Sequence, residues 1–230
     1  MKLILFIAWV LAAVPTHHQM NDAVWRHVAD REHPDAGTVR IFEGSVDRVT
    51  CFKATATTAG VDAGKMLEVV SDVVGAKQWS TAGITRAELL GRDGDRISFM
   101  QYVEVPGWTL ASDRYWFLTA DLHDGESEKW MRWSRIEESG RYAESSRVFK
   151  EANPEAIEPP INVGDWHFRN AGAAVEIRYR ICTEVGGAMP RVLQRMATRR
   201  ALPDAVGDVV REARRRLDRS FVPTASQTGE

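Results

Sequence analysis

Large aromatic side chains recur at alternating positions of several candidate strands in this chain, a pattern typical of ligand binding and not of bond-making chemistry. The set comprises Phe99, Phe117, Trp133, Trp166, Phe168 and Tyr179. If their strands form one concave sheet, these side chains converge on an apolar pocket, the usual site for a small hydrophobic ligand. Taken singly, each is more often a packed core residue. Gln101 shares the parity of Phe99, so we expect its amide to orient a ligand in the pocket.

The residue types that usually carry catalysis form no recognisable motif. Histidines are scattered, at positions 17, 18, 27, 33, 123 and 167. The sequence contains no HExxH metal motif, no Gly-x-Ser-x-Gly nucleophile elbow and no phosphate-binding glycine-rich loop. His167 alternates outward between Trp166 and Phe168, so we expect it to meet solvent. We therefore predict no catalytic residue, no metal site and no cofactor.

A strand followed by a long helix closes the chain. Apolar and charged residues alternate over 175–181, which predicts a strand buried on one face. After a Gly-Gly-x-x-Pro break, apolar residues recur at helical spacing as far as Leu217. A helix that lies across a sheet can enclose an apolar ligand, and the predicted contacts on this side are Met189, Val206 and Val210.

The closing helix is also basic. Nine arginines lie between positions 191 and 219, against four acidic residues. A solvated helix face accounts for most of them. The alternative is a transient contact with an anionic membrane, where each such charge contributes about 1 kcal/mol. The formal charge of the whole chain is −2, which gives no sign of a nucleic-acid partner.

The beginning of the chain has the composition of a secretory signal. Lys2 precedes an apolar run from Leu3 to Val14, which is shorter than the roughly 20 residues needed to span a bilayer. Ala12 and Ala13 are small residues near a possible cleavage point. We predict that residues 1–19 are a signal segment and that the protein is exported, to the periplasm or out of the cell. The alternative is an uncleaved amphiphilic leader.

The two cysteines, Cys51 and Cys182, lie on different candidate strands and alternate to the polar side of each. In an oxidising compartment they could form a disulfide. Two unrelated thiols are the alternative, because the sequence does not fix the distance between their Cα atoms.

The order of elements predicts one α+β domain over residues 20–220, a monomer, with a disordered tail at 221–230. Asn21 and Asp22 are candidate caps for a short helix that carries Trp25. Asp62 begins a helix that ends near Gly75, and antiparallel strands follow. The segment 139–160 is polar and is predicted to consist of loops.

Several short segments, in their order and spacing, resemble the START family of lipid-transfer domains. They are Trp25-Arg-His-Val-Ala-Asp, Cys51-Phe-Lys-Ala-Thr-Ala, the pair Asp72 and Trp79, the stretch from Val105 to Phe117, and Gly186-Gly-Ala-Met-Pro190. The stretch from Val105 to Phe117 departs from the family pattern in one respect, because Asp113 precedes Arg114 where the family has the reverse order. The resemblance covers roughly Trp25 to Arg216.

The resemblance implies the helix-grip fold, a curved antiparallel sheet wrapped around a long C-terminal helix with a tunnel for one lipid. It implies a lipid or sterol-like ligand, bound or transferred in the cell envelope, and does not identify that ligand. Two alternatives stay open. One is a cyclase- or hydrolase-like enzyme on the same fold, which requires a polar group of shifted pKa in the cavity. The other is an envelope interaction module with a filled core.

Overall fold

A curved antiparallel sheet is the frame of the molecule. The computed structural model describes residues 14–105, 112–136, 140–184 and 191–220. Residues 1–13 of the predicted leader, the Gly-Gly-x-x-Pro break with Met189, and the predicted tail lie outside the described residues. The signal segment, the break and the disordered tail therefore stay predictions.

The sheet has nine strands, in the spatial order β1-β2-β3-β9-β8-β7-β6-β5-β4. Their bounds are β1 Arg26–His33, β2 Gly37–Val46, β3 Val49–Ala59, β4 Ile84–Asp93, β5 Arg96–Val103, β6 Arg114–Asp124, β7 Lys129–Arg135, β8 Ile161–Ala171 and β9 Ala174–Glu184. Every neighbouring pair is antiparallel. The first three strands therefore join the last strand of the sheet, so that both ends of the chain contribute to its centre.

Helices lie on both faces of this sheet. Their bounds are α1 His17–Asp22, α2 Ala63–Ser71, α3 Ala76–Trp79, α4 Ala143–Ala152 and α5 Arg191–Ser220. Helices α2 and α5 pack on the inner face, where Val69, Val206 and Val210 join a large apolar core with strand residues such as Ile97 and Phe168. This arrangement confirms the predicted α+β class and the helix-grip fold.

Specific side chains fix helix α5 across the sheet. Glu43 of β2 accepts hydrogen bonds from Arg195 and Arg199. Asp208, which is buried, accepts from the backbone N–H and the hydroxyl of Thr81, at 2.6 and 2.8 Å. A Cβ at Gly207 would lie 1.9 Å from the His33 ring, so only glycine lets the helix approach β1 this closely. None of the described helices is both long and apolar enough to cross a bilayer.

The first helix differs from the prediction. Thr16, not Asn21 or Asp22, caps α1, because the Thr16 hydroxyl accepts from the Gln19 N–H while the Gln19 amide oxygen accepts from the Thr16 N–H. Trp25 follows the helix, and the residues from Arg26 pair with β2 as an edge strand. Pairing with β2 satisfies the backbone hydrogen bonds of these residues. Local capping signals do not reveal a pairing with another strand.

The outer face of the sheet is covered in two places. Phe149 of α4 packs on Met100, Tyr115 and Phe117, so the segment predicted to consist of loops contains a helix. At the other end, α1 covers Cys51 and Cys182, which face each other across β3 and β9 and form a disulfide. Both cysteines are inaccessible to solvent. They share this face with Lys53 and Arg180, on the side of each strand that was predicted, and Met20 of α1 covers them there.

Candidate functional site

A cavity of about 340 Å³ lies between the inner face of the sheet, helices α2 and α3, and helix α5. Five of the predicted ligand contacts line it: Phe99, Gln101, Trp133, Trp166 and Tyr179. They come from four strands, β5, β7, β8 and β9, and face the cavity together because alternate residues of a strand face the same side. The helices close it with Val70 and Val73 from the α2 side and with Ala205 and Val209 from α5.

One wall of the cavity is a stack of aromatic rings. The Tyr179 ring lies 4.1 Å from the Trp166 ring and 6.0 Å from the Trp133 ring, with interplanar angles of 21° and 23°. Trp166 and Tyr179 are direct register partners across β8 and β9, which brings the two rings together. Gly164 makes room for this wall, because a Cβ there would lie 2.3 Å from the Trp133 ring and 2.4 Å from the Arg180 carbonyl oxygen.

Polar groups interrupt the apolar lining at defined points. The Trp133 indole N–H donates to the side-chain oxygen of Asn162 at 2.9 Å, and the Thr183 hydroxyl donates to the Ile161 carbonyl at 3.0 Å. Burial, with the nearby charge of Asp165, raises the pKa of Tyr179 well above its usual value, so its phenol stays protonated at neutral pH.

Other polar groups of the lining have no partner within the described part of the chain. The indole N–H groups of Trp79 and Trp116 are buried without a hydrogen-bond acceptor among the described residues. The Gln101 side chain, which also lines the cavity, forms no hydrogen bond with another described residue. Because a buried Trp N–H usually finds an acceptor, these donors mark places where a ligand atom would be favourable.

The remaining predicted contacts lie elsewhere. Phe168, Val206 and Val210 are buried in the core beside the cavity and do not line it. Phe117 was expected to face inward and lies on the outer face, where α4 covers it. Because both faces of β6 are apolar, its alternation does not identify the inner face. Met189 lies outside the described residues.

Sequence reasoning missed several lining residues. Trp116 of β6 is the register partner of Gln101 of β5, so both side chains face the same side of the sheet. Gln101 was predicted to face inward, and knowledge of the register would have placed Trp116 there as well. Val209 lines the cavity in place of its helical neighbours Val206 and Val210. Asn162, the second residue of β8, was missed because the prediction of this wall rested on alternating aromatic residues and Asn162 is not one of them.

Comparisons by sequence find nothing: no family model matches the chain, and no curated protein matches it. Comparisons by structure do find relatives of the fold. A STAR-related lipid transfer protein of Xanthomonas axonopodis superposes with a TM-score of 0.65 at 14% identity, covering 83% of this chain and 98% of that chain. Human STARD10 gives a TM-score of 0.66 at 11% identity, covering 92% of this chain and 85% of that chain.

The structure of an enzyme also superposes on this chain. The Zhui aromatase/cyclase from Streptomyces sp. R1128 superposes with a TM-score of 0.52 at 16% identity, covering 73% of this chain and 94% of that chain. At these identities the likeness establishes the fold, which is the START-like helix-grip fold. The activity has to be argued from the cavity itself.

Proposed function

With a START-like helix-grip fold as its frame, we propose that this protein binds one hydrophobic, sterol-like or lipid molecule in the cavity between sheet and helix α5. The observation that carries the proposal is the cavity of about 340 Å³ with its stacked wall of Trp133, Trp166 and Tyr179. A filled core, which an interaction module without a ligand requires, would leave no such space. Transfer of the ligand in the cell envelope is part of the same proposal.

The driving force is the removal of apolar surface from water, worth about 25 cal/mol per Å² buried. The volume also limits the ligand. At about 340 Å³ it lies near the lower end of the roughly 300–1,000 Å³ typical of small-molecule sites. A compact ring system or a single acyl chain suits this space better than a lipid with two long chains. The flat rings of the wall favour a ligand with a flat face.

The polar groups of the lining indicate which polar atoms the ligand carries. Trp79 and Trp116 offer buried N–H donors that lack an acceptor among the described residues, and the protonated Tyr179 phenol is a third donor. We therefore propose a ligand that carries a carbonyl or hydroxyl oxygen besides its apolar body. Leaving these donors unpaired costs about 1–3 kcal/mol each, which such an oxygen would recover.

The test compares two leucine substitutions on helix α5. Ala205 lines the cavity, and Ala201 lies one turn earlier on the exposed surface of the same helix. We expect A205L to fill part of the cavity and weaken binding of the neutral dye N-phenyl-1-naphthylamine at least about tenfold, since the ligand then loses buried area. A201L makes the same chemical change outside the cavity and should bind the dye as the unaltered protein does.

Native mass spectrometry of the purified protein, followed by organic extraction, identifies a co-purified ligand. A displacement panel with a sterol, a fatty acid and a two-chain phosphatidylcholine then ranks the classes. We expect the sterol or the fatty acid to displace the dye and the phosphatidylcholine to fail. No extracted ligand together with no displacement by any class would contradict the proposal.

A cyclase-like activity is the second candidate, and the polar lining is the observation that favours it. The Tyr179 phenol, held protonated, can donate to a substrate carbonyl, while Gln101 can orient it. In such a reaction a methylene carbon loses a proton to water and attacks that carbonyl, whose oxygen becomes a hydroxyl. Loss of a second proton from the same carbon and departure of the hydroxyl as water then leave a C=C bond. Incubation with a linear poly-β-ketone should then give a product lighter by one water, and Y179F should abolish the product but retain dye binding. Unchanged substrate in both proteins would exclude this candidate.

A further inference from the structure

The outer face of the sheet carries a second cleft, of about 840 Å³, which the hydrophobic cavity does not explain. Its lining is polar and comes from β2, β3, β9, β8 and β7, with Asn21 of α1 at one side and Glu128 at the other. We call it the outer cleft. The positions that line it alternate with those that face the inner core, so it lies on the opposite side of the sheet from the cavity.

Cross-strand register sets its residues in two rows. In the first, Arg40 faces Thr55, Thr55 faces Arg178, and Arg178 faces His167. In the second row, two positions along each strand, Lys53 faces Arg180, Arg180 faces Asp165, and Asp165 faces Arg132. Cations therefore stand side by side on neighbouring strands, where like charges repel.

The carboxylates of this face are already engaged. Asp165 accepts hydrogen bonds from Nε and Nη2 of Arg180, the shortest at 2.6 Å. Glu128 is hydrogen-bonded to His167 at 2.8 Å, and Glu176 accepts from Arg169. Asp30 of β1 lies 4.0 Å from Arg40, so four acids stand against six cationic side chains, namely Arg40, Lys53, Arg132, Arg169, Arg178 and Arg180.

Two arginines of the cleft are left without a matched partner. The closest carboxylate oxygen to Arg178 is Oδ1 of Asp165 at 3.8 Å, and the buried Nε of Arg178 has no hydrogen-bond acceptor among the described residues. Arg132 forms no ion pair with a described carboxylate and stacks on the Trp130 ring at 4.0 Å, which holds its guanidinium in place.

The crowding of cations on this face lowers the pKa values of two of its side chains. Burial and the charges of Arg180 and Arg132 lower the pKa of Arg178, and they outweigh the attraction of Asp165. Burial and the charges of Arg178, Arg180 and Arg40 lower the pKa of Lys53 as well. An added anion would relieve this repulsion.

We propose that the outer cleft binds a phosphate-bearing ligand, with Arg132, Arg178 and the hydroxyl groups of Thr55 and Thr57 as its contacts. A guanidinium donates a planar pair of N–H groups that matches a phosphate, and threonine hydroxyls supply further donors. The volume of the cleft admits a compact polyanion, not only a single ion. Since the site lies across the sheet from the cavity, it does not depend on the proposed hydrophobic ligand.

The test measures pyrophosphate binding by calorimetry at low salt, and co-sedimentation with phosphatidylcholine vesicles with and without phosphatidic acid. The two arms separate a soluble phosphate from a lipid headgroup. We expect R132Q/R178Q to weaken binding at least about tenfold, since a hydrogen bond to a charged group contributes more than a neutral one. R40Q, which changes an arginine 59% exposed, should weaken binding less and cannot act by unfolding the protein.

R92Q is the matched control, because Arg92 is exposed on β4 at the far edge of the sheet and carries the same charge. Binding of either probe that falls in R132Q/R178Q and not in R92Q supports the proposal, and the probe that binds identifies the source of the phosphate. No binding of either probe would overturn it. Equal losses in the double variant and in R92Q would also overturn it, since they indicate general charge attraction.

Discussion

Asp165 shows how buried charge holds this molecule together at the scale of single residues. It is 1% exposed, and Arg180, which is 3% exposed, donates to both of its oxygens. Arg180 also donates to the Met20 carbonyl at 3.0 Å, so the pair fixes helix α1 to the sheet. Burial opposes ionisation of Asp165, but the His17 ring and the charges of Arg180 and Arg178 outweigh it and hold its pKa below the usual value.

We expect D165N to lower the free energy of unfolding by about 3–5 kcal/mol, because it leaves the buried Arg180 without its counter-charge. D121N is the control, since Asp121 pairs with Arg96 on the surface and such pairs contribute about 0–1 kcal/mol. Urea unfolding at pH 7 measures both. Equal losses in the two variants would contradict this account of Asp165.

The lowered pKa of Asp165 predicts that the free energy of unfolding depends on pH. Its folded pKa is depressed, so its contribution to stability is fully present above the unfolded value of about 3.9 and is lost as the pH falls through the lower, folded value. The difference in stability between the unaltered protein and D165N should therefore be constant from pH 5 to 8, within the usual working range, and shrink below about pH 4. Urea titrations across this range measure it. A difference that stays constant to pH 2 would contradict it.

At the scale of elements, helix α5 divides into two parts with different supports. From Val206 to Ala213 its apolar residues are buried in the core. Of its earlier turns, Leu202 also joins this core, and Glu43, which is 7% exposed, holds the preceding residues by accepting from Arg195 and Arg199. Pro203 lies between the two parts and cannot donate to the carbonyl four residues before it.

We expect E43Q to loosen the first part of α5 and leave the second part unchanged. Amide hydrogen exchange over residues 195–202 should accelerate about tenfold or more, because the lost contacts are hydrogen bonds to a charged group. Exchange over residues 206–213 should be unaffected. E144Q is the control, since Glu144 pairs with Arg147 on the exposed side of α4. Uniform acceleration along α5 would contradict the division.

The elements also show what the sequence could predict. Helices α2 and α5 and the later strands follow from periodicity, because one face of each is apolar and the other polar. Helix α4 was missed although Arg147 bonds Glu144 and Glu151 at helical spacing, since its core contribution is the single residue Phe149. Periodicity identified five cavity residues but not the inner face of β6, because alternation distinguishes the two faces of a strand only where one is apolar and the other polar.

At the scale of the whole molecule, the disulfide joins an early strand to the last strand. Cys51 and Cys182 are 131 residues apart and connect β3 to β9, the strands where the N-terminal three meet the rest of the sheet. Closing so long a loop restricts the unfolded chain strongly. We expect C51A/C182A to lower the free energy of unfolding by about 2–4 kcal/mol. Urea unfolding under oxidising conditions measures it, and an unchanged midpoint would contradict a stabilising bond.

We propose from the apolar run after Lys2 that the protein is exported. The attachment of α1 to the sheet limits where a signal segment could be cleaved. Thr16 caps that helix, and Met20 is fully buried beside the disulfide while its carbonyl accepts from Arg180.

A mature chain that begins after Met20 would lose this contact and expose the outer face of β3 and β9. The predicted signal segment of residues 1–19 therefore extends too far, because residues 17–19 belong to α1, and we expect the exported protein to begin at or before Thr16, which N-terminal sequencing and intact mass measure. A chain engineered to begin at Ala23 should unfold at lower urea than one that begins at Pro15, since burial of a methionine contributes about 1.5–3 kcal/mol. An exported chain that begins beyond Asp22 with unchanged stability would contradict the role of α1, and intact Met1 in a cytoplasmic fraction would contradict export.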